Sequence, residues 1–247
     1  MTSSMIEVAT SDGVADCYLT TADEGTTAPP VLFIIDAIGL RERTKEMADR
    51  IAARGYTVLA PNIFYRGGRA PLWPTPNLAD QAERDRFMET LGPLASALTP
   101  SAVAADGAAY LAKLAELSDG PVTITGYCMG GRIGWTVAAT HPDRVRAMAG
   151  FHTGQMVTDS AESPHLLASK VAAEVYWGHA DNDASMTPEQ IATLDRAMDE
   201  NGVRHTTEVY ANAAHGYTMS DMGAYDAAAC ERHFDALFAL LARTNRS

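Results

Sequence analysis

Val122-Thr123-Ile124-Thr125-Gly126-Tyr127-Cys128-Met129-Gly130-Gly131-Arg132 is the stretch that decides the fold. Residues 122–125 are short, apolar and β-branched, as a buried strand requires. The next five residues read Gly-x-Cys-x-Gly, and a helix is expected to begin near Arg132. A strand that passes through a glycine-flanked nucleophile into a helix is the nucleophile-elbow pattern, here with sulfur in place of the usual serine oxygen. Such a turn is sharp, and small residues at 126 and 130 leave room for the chains that crowd it. The thiol is thereby presented at the carboxyl end of the sheet. The positive end of the helix dipole favours the thiolate there, and the thiolate is the attacking species. The backbone N–H of Met129 is expected to point to where an oxyanion would develop, and Tyr127, next to the thiol, is a candidate pocket residue.

Outward from this motif, short apolar runs alternate with amphipathic stretches of helix length, the pattern of a mostly parallel sheet covered by helices on both faces. Strands are expected over 31–35, 56–60, 122–125, 145–150, 175–177 and 206–210, with an edge hairpin of 6–10 and 15–19 around Ser11-Asp12-Gly13. Helices are expected over 43–54, 102–117, 188–200 and 221–243. Gly107 falls on the apolar face of the second of these and lowers helix propensity there. Residues 61–100 interrupt the rhythm with Arg66-Gly67-Gly68-Arg69, Pro71, Trp73, Pro74 and Pro76, then a helix near 80–91. A segment this long reads as a lid or substrate-facing insertion in an otherwise single α/β domain of about seven or eight strands.

Composition limits the remaining classes. The 247 residues carry 19 Lys and Arg against 31 Asp and Glu, a formal charge of −12. That leaves no basic face for nucleic acid and argues against adhesion to anionic lipid. No apolar run reaches bilayer length and the first residues do not resemble a signal peptide. Three cysteines, without Cys-x-x-Cys spacing, fit a reducing compartment. A soluble, cytoplasmic protein is the expectation. Cys17, in the edge hairpin, and Cys230, in the last helix, lack a glycine turn and read as small hydrophobes.

A nucleophile on an elbow needs a base and an orienting acid, which follow on loops after later strands. Gly178-His179-Ala180-Asp181-Asn182-Asp183 follows strand 175–177, and Asn212-Ala213-Ala214-His215-Gly216 follows strand 206–210. His215 is the expected base. Asp181 is preferred as its partner because it sits nearer the strand end, with Asp183 as the rival. His152, at the end of strand 145–150, is a pocket or packing residue facing the same cleft. Residues 181–185 faintly resemble a calcium loop, but Met186 and Ala192 stand where that loop requires glycine and glutamate. No metal or organic cofactor is expected.

These residues together resemble the dienelactone hydrolases (carboxymethylenebutenolidases) of the α/β-hydrolase fold. The likeness runs through Ile35-Asp36-Ala37-Ile38-Gly39, Arg54-Gly55-Tyr56, Ala60-Pro61-Asn62, the elbow, residues 178–181 and Ala214-His215-Gly216. The resemblance implies a Cys128–His215–Asp181 triad and an oxyanion hole from the N–H groups of Ala37 and Met129. It also implies that Asp36, where the family usually has glutamate, contacts and activates the resting thiol; the other reading is a strand-end aspartate that caps the following turn. Met219 stands where dienelactone-cleaving members carry a substrate-binding arginine, while Arg84 or Arg86 would supply a second. The expected activity is hydrolysis of a small lactone, ester or thioester. The alternative is an idle relative that binds a small ligand or a partner in the same cleft. A monomer or a dimer is expected.

Overall fold

The computed structural model of the protein describes residues 1–22 and 28–244. One sheet of eight strands carries it, in the order β1-β2-β4-β3-β5-β6-β7-β8. The strands are β1 (Thr2–Thr10), β2 (Gly13–Thr21), β3 (Pro30–Ile34), β4 (Thr57–Pro61), β5 (Val122–Tyr127), β6 (Val145–Phe151), β7 (Glu174–Ala180) and β8 (His205–Tyr210). β1 and β2 form the antiparallel hairpin, β2 joins β4 antiparallel, and all remaining pairs are parallel. The α/β architecture read from the sequence is therefore the one observed.

The helices are α1 (Glu42–Ala52), α2 (Gln81–Ser96), α3 (Pro100–Leu117), α4 (Met129–Thr140), α5 (Pro188–Glu200) and α6 (Ala227–Thr244). β3, β4 and β5 are buried along their whole length, because helices cover both faces of the sheet. α1 and α6 are tied together by Arg50 and Glu231, whose ion pair is 2.6 Å. α3 and α4 pack against each other at Gly107, where a Cβ would come within 2.8 Å of Val137 Cγ2. The glycine that weakens α3 as a helix is thus what allows α4, the helix behind Cys128, to pack so closely.

Most boundaries fall within two residues of expectation, but the last helix begins at Ala227 and not near residue 221, which leaves Asp221 in the loop after His215, and three further elements differ. α4 begins at Met129 and not near Arg132, so Cys128 is its N-cap residue. β7 runs on to Ala180, three residues past its expected end, because its pairing with β8 continues through Ala180 and Tyr210. The helix of the long segment extends to Ser96. Trp73 of that segment packs against Phe64 and Phe87, and its indole N–H donates to the Ile38 carbonyl at 2.7 Å. Among the described residues, no helix is long and apolar enough to cross a membrane.

Candidate active site

The elbow is built by close backbone approach. A Cβ on Gly126 would strike the Gly130 carbonyl, and one on Gly130 would strike the carbonyls of Ile34 and Ile35. With no side chains there, the start of α4 lies directly on the end of β3. Cys128 adopts φ 54° and ψ −123°, a strained backbone for a non-glycine residue and a mark of functional turns. Its N–H donates to the Phe151 carbonyl at 3.1 Å, fixing the turn to the end of β6. Of the three cysteines, Cys128 is half-buried while Cys17 and Cys230 are buried. Burial pushes the Cys17 thiol up to about 12, which leaves it inert near neutrality.

His215 Nε2 lies 3.1 Å from Cys128 Sγ, and on its other side His215 Nδ1 donates to Asp183 Oδ2 at 2.6 Å. The acid beside the histidine is therefore Asp183, and the expectation of Asp181 is corrected. Since β7 extends to Ala180, Asp181 is the first residue off the strand and still belongs to its edge. Its N–H donates to the Ala213 carbonyl, and its Oδ2 accepts the Asn212 N–H at 2.9 Å. Asp181 thus steadies the loop that carries His215, and the chain must turn two residues further before a carboxylate reaches the imidazole. Asp183 is also held by Ser185, whose N–H and hydroxyl both donate to Oδ1, at 2.8 and 2.6 Å.

The charges reinforce one another. Burial alone would raise the Asp183 carboxyl, but hydrogen bonds from His215 and Ser185 and the attraction of His215 outweigh it and bring the group down to about 2. Burial alone would lower His215, but Asp183 and Cys128 on its two sides raise it to about 10. His152 sits edge-on to His215, with ring centroids 5.3 Å apart, and is buried with φ 40°. Burial, then repulsion from His215, pushes it well below the usual histidine range, so it stays neutral beside the charged ring. Its Nε2 pairs with Thr218 Oγ1 at 2.8 Å, which makes it a packing partner of the His215 loop.

Ala37 lies in the turn that follows β3 and Met129 opens α4, and Gly130 brings the end of β3 and the start of α4 together. Asp36, however, is not at the thiol. Its Oδ1 accepts the Ile38 N–H at 3.0 Å and the Arg41 guanidinium at 2.7 Å, so it caps its own turn. Aspartate is one methylene shorter than glutamate, and these local donors claim both of its oxygens.

Tyr127 is not a pocket residue either. β5 continues through it, and strand alternation sends its ring into the core between Phe33 and Phe151, with its hydroxyl 3.3 Å from His233 Nε2. Met219 is buried, 1% exposed, and so offers substrate no surface. Arg84 and Arg86 are exposed on α2; Arg84 donates to the Leu78 carbonyl and Gln81, and neither arginine bonds to Cys128, His215 or Asp183.

Two arginines near the site went unread in the sequence. Arg132 lies one helical turn beyond Cys128, a spacing that puts both on one face of α4. Burial lowers its pKa and attraction to Cys128 opposes the shift, while its hydrogen-bonding partner is the neutral amide of Gln155. Among the described arginines that are not exposed, it alone lacks a carboxylate partner. Arg41 is buried between Asp36 and Asp221. The i, i+4 relation to Cys128 was a usable signal for Arg132, whereas nothing local in the sequence links Arg41 to Asp221, 180 residues away.

The model of the dienelactone hydrolase family matches residues 15–245. A curated relative from Escherichia coli strain K12, named "Putative carboxymethylenebutenolidase", is 29% identical over 208 residues, covering 82% of this chain and 72% of the relative. A similar protein from Methylorubrum extorquens, with the same name, is 26% identical over 222 residues, covering 86% of this chain and 71% of its own length. Among solved structures, a dienelactone hydrolase-like promiscuous phosphotriesterase from metagenomic libraries superposes with a TM-score of 0.75 at 21% identity, over 99% of each chain.

Proposed function

The chain belongs to the dienelactone hydrolase family and is a hydrolase, and from that premise we infer that it cleaves a small ester, lactone or thioester with Cys128 as nucleophile. One observation carries this reading: a single imidazole, His215, bridges the Cys128 sulfur at 3.1 Å and the Asp183 carboxylate at 2.6 Å.

His215 Nε2, 3.1 Å from the sulfur, takes the thiol proton, so that the attacking species is the thiolate. The thiolate attacks the substrate carbonyl, a C–S bond forms, and the carbonyl oxygen becomes an oxyanion that accepts from the N–H groups of Ala37 and Met129. As the tetrahedral species collapses, the bond to the leaving group breaks and His215 Nε2 delivers its proton to the departing oxygen or sulfur. The product of this half-reaction is a thioester on Cys128.

Acylation also retunes the base. Cys128 supplies part of what raises His215, and an acylated sulfur no longer carries charge. His215 then falls toward the range in which a neutral imidazole accepts a proton from water. The hydroxide so formed attacks the thioester, the acid is released, and sulfur leaves as the thiolate with the proton again on His215. Asp183 keeps the imidazole in the required tautomer throughout.

Turnover of an aryl ester by wild type and Cys128→Ala, alongside iodoacetamide labelling, tests the reading. The expected result is fast alkylation confined to Cys128 and a loss of turnover of about 10³-fold or more in the variant. Unchanged turnover in Cys128→Ala would sink the mechanism. A wild-type protein that labels no faster than a free thiol and hydrolyses no ester would instead favour an idle relative that binds a small ligand in the cleft.

A further inference from the structure

The turn that carries Ala37 is held by a group that also grips the loop carrying His215. Arg41 is 8% exposed and uses all five of its N–H donors. Nη1 donates to Asp36 Oδ1 at 2.7 Å and to the Gly39 carbonyl at 3.1 Å, and Nη2 donates to Asp36 Oδ2 at 3.1 Å. Nε donates to Asp221 Oδ2 at 2.6 Å, and Nη2 also to Asp221 Oδ1 at 3.1 Å. Asp36 and Gly39 are the two ends of the turn around Ala37, closed by the Gly39 N–H on the Asp36 carbonyl at 3.2 Å. Asp221 lies six residues beyond His215. Nearby, Arg43 at the start of α1 donates twice to the Thr218 carbonyl of the same loop, at 2.6 and 3.2 Å.

Stability alone does not account for this arrangement. Burying a guanidinium between two carboxylates carries a desolvation cost that well-packed apolar residues would avoid, so such a cluster is weak evidence for a stabilising role. Its geometry is that of a planar fork with every donor aimed, which fixes the separation and angle of the two segments it joins. An oxyanion hole needs that kind of constraint. Its donors act only when held at hydrogen-bond distance from the place where charge develops, and a misplacement of about 1 Å costs on the order of 100-fold in rate.

The geometry points to Arg41 as a positioning residue: anchored through Asp221 on the loop of His215, which Arg43 holds independently, it sets the Ala37 N–H through Asp36 and so fixes the oxyanion donor relative to the base. This rests on the acyl-transfer reading of the site. It also gives Asp36 a role other than contact with the thiol, acting through the turn that it caps.

Arg41→Lys keeps the charge but removes the fork, and Asp221→Ala removes the anchor of that fork, a partly exposed carboxylate, at little risk to folding. Each variant is compared with wild type in kcat and KM for an aryl ester, in the iodoacetamide rate at Cys128, and in melting temperature. Alkylation needs the thiolate and its access but no oxyanion hole, so it separates the two functions. In Arg41→Lys, kcat falls by about 10- to 100-fold, while KM and the alkylation rate stay within about threefold. Asp221→Ala shows the same pattern with a smaller fall. The assignment is overturned if kcat is unchanged in Asp221→Ala, if kcat and alkylation fall in parallel, or if only the melting temperature moves. A wild-type enzyme with no ester turnover would show that the hydrolytic reading itself has failed, and the assignment with it.

Discussion

Two aspartates two residues apart differ in what they hold, and the difference is measurable. Asp183 supports the imidazole that faces Cys128, whereas Asp181 supports the backbone of the loop behind it. Asp183→Asn is therefore expected to lower kcat by roughly 10²- to 10⁴-fold, since the amide favours the wrong tautomer. Asp181→Asn, which keeps an acceptor for the Asn212 N–H, should change kcat by about threefold or less; steady-state kinetics on one ester decides it. The same pair of groups sets a pH window for stability. Asp183 is depressed to about 2, so its contribution is present above the ordinary carboxylate range and is lost as pH falls through about 2. His215 is raised to about 10, so its contribution is complete below about 6.5 and is lost as pH rises through about 10. The gap in urea midpoint between wild type and Asp183→Asn should be widest between about pH 4 and 6.5 and close as pH approaches 10. A gap that grows above pH 8 would contradict this sign.

At the scale of elements, the elbow depends on β5, α4 and β3 meeting without side chains between them. Gly130→Ala places a Cβ against the Ile34 and Ile35 carbonyls, which belong to backbone and cannot swing aside. The expected cost is about 1–3 kcal/mol in urea unfolding, with turnover lost out of proportion to stability because α4 is lifted from the strand that leads to Ala37. Here the sequence was legible. Gly126, Cys128 and Gly130 announced the turn, and the histidine singled out after strand 206–210, His215, lies beside the Cys128 sulfur. The acid was misread because only 175–177 looked like strand. The further residues Gly178, His179 and Ala180 have no β-branching to advertise pairing, yet the ladder with β8 carries them along. Asp36 and Tyr127 failed for related reasons. One depended on an arginine five residues on, the other on a strand that ran two residues further than its pattern.

For the molecule as a whole, the sheet grades from a fully buried centre to an open edge. β3 and β5 lie under helices on both faces, while β1 is mostly exposed and bonded in the sheet to β2 alone. Native-state hydrogen exchange should therefore be slowest at Val31–Ile34 partners in β5 and fastest, among strands, in β1. Equal protection across the sheet would show that the hairpin is cooperative with the core. The two ends of this gradient were readable in the sequence, since short apolar β-branched runs marked the central strands and the Ser11-Asp12-Gly13 turn marked the edge hairpin. The pairing of Arg41 with Asp221 and the seat of Trp73 on Ile38 were not readable. Both join residues distant in sequence through contacts that no local pattern encodes.

The indole of Trp73 gives the protein an optical reporter. Of the three tryptophans, Trp135 and Trp177 are sealed in the core, whereas Trp73 is half-buried and donates to the carbonyl of Ile38, next to Ala37. Any movement of the turn that would cradle a reacting carbonyl changes the polarity around that one fluorophore. The emission spectrum of the native chain, without label or substitution, can thus register the filling of the site in real time.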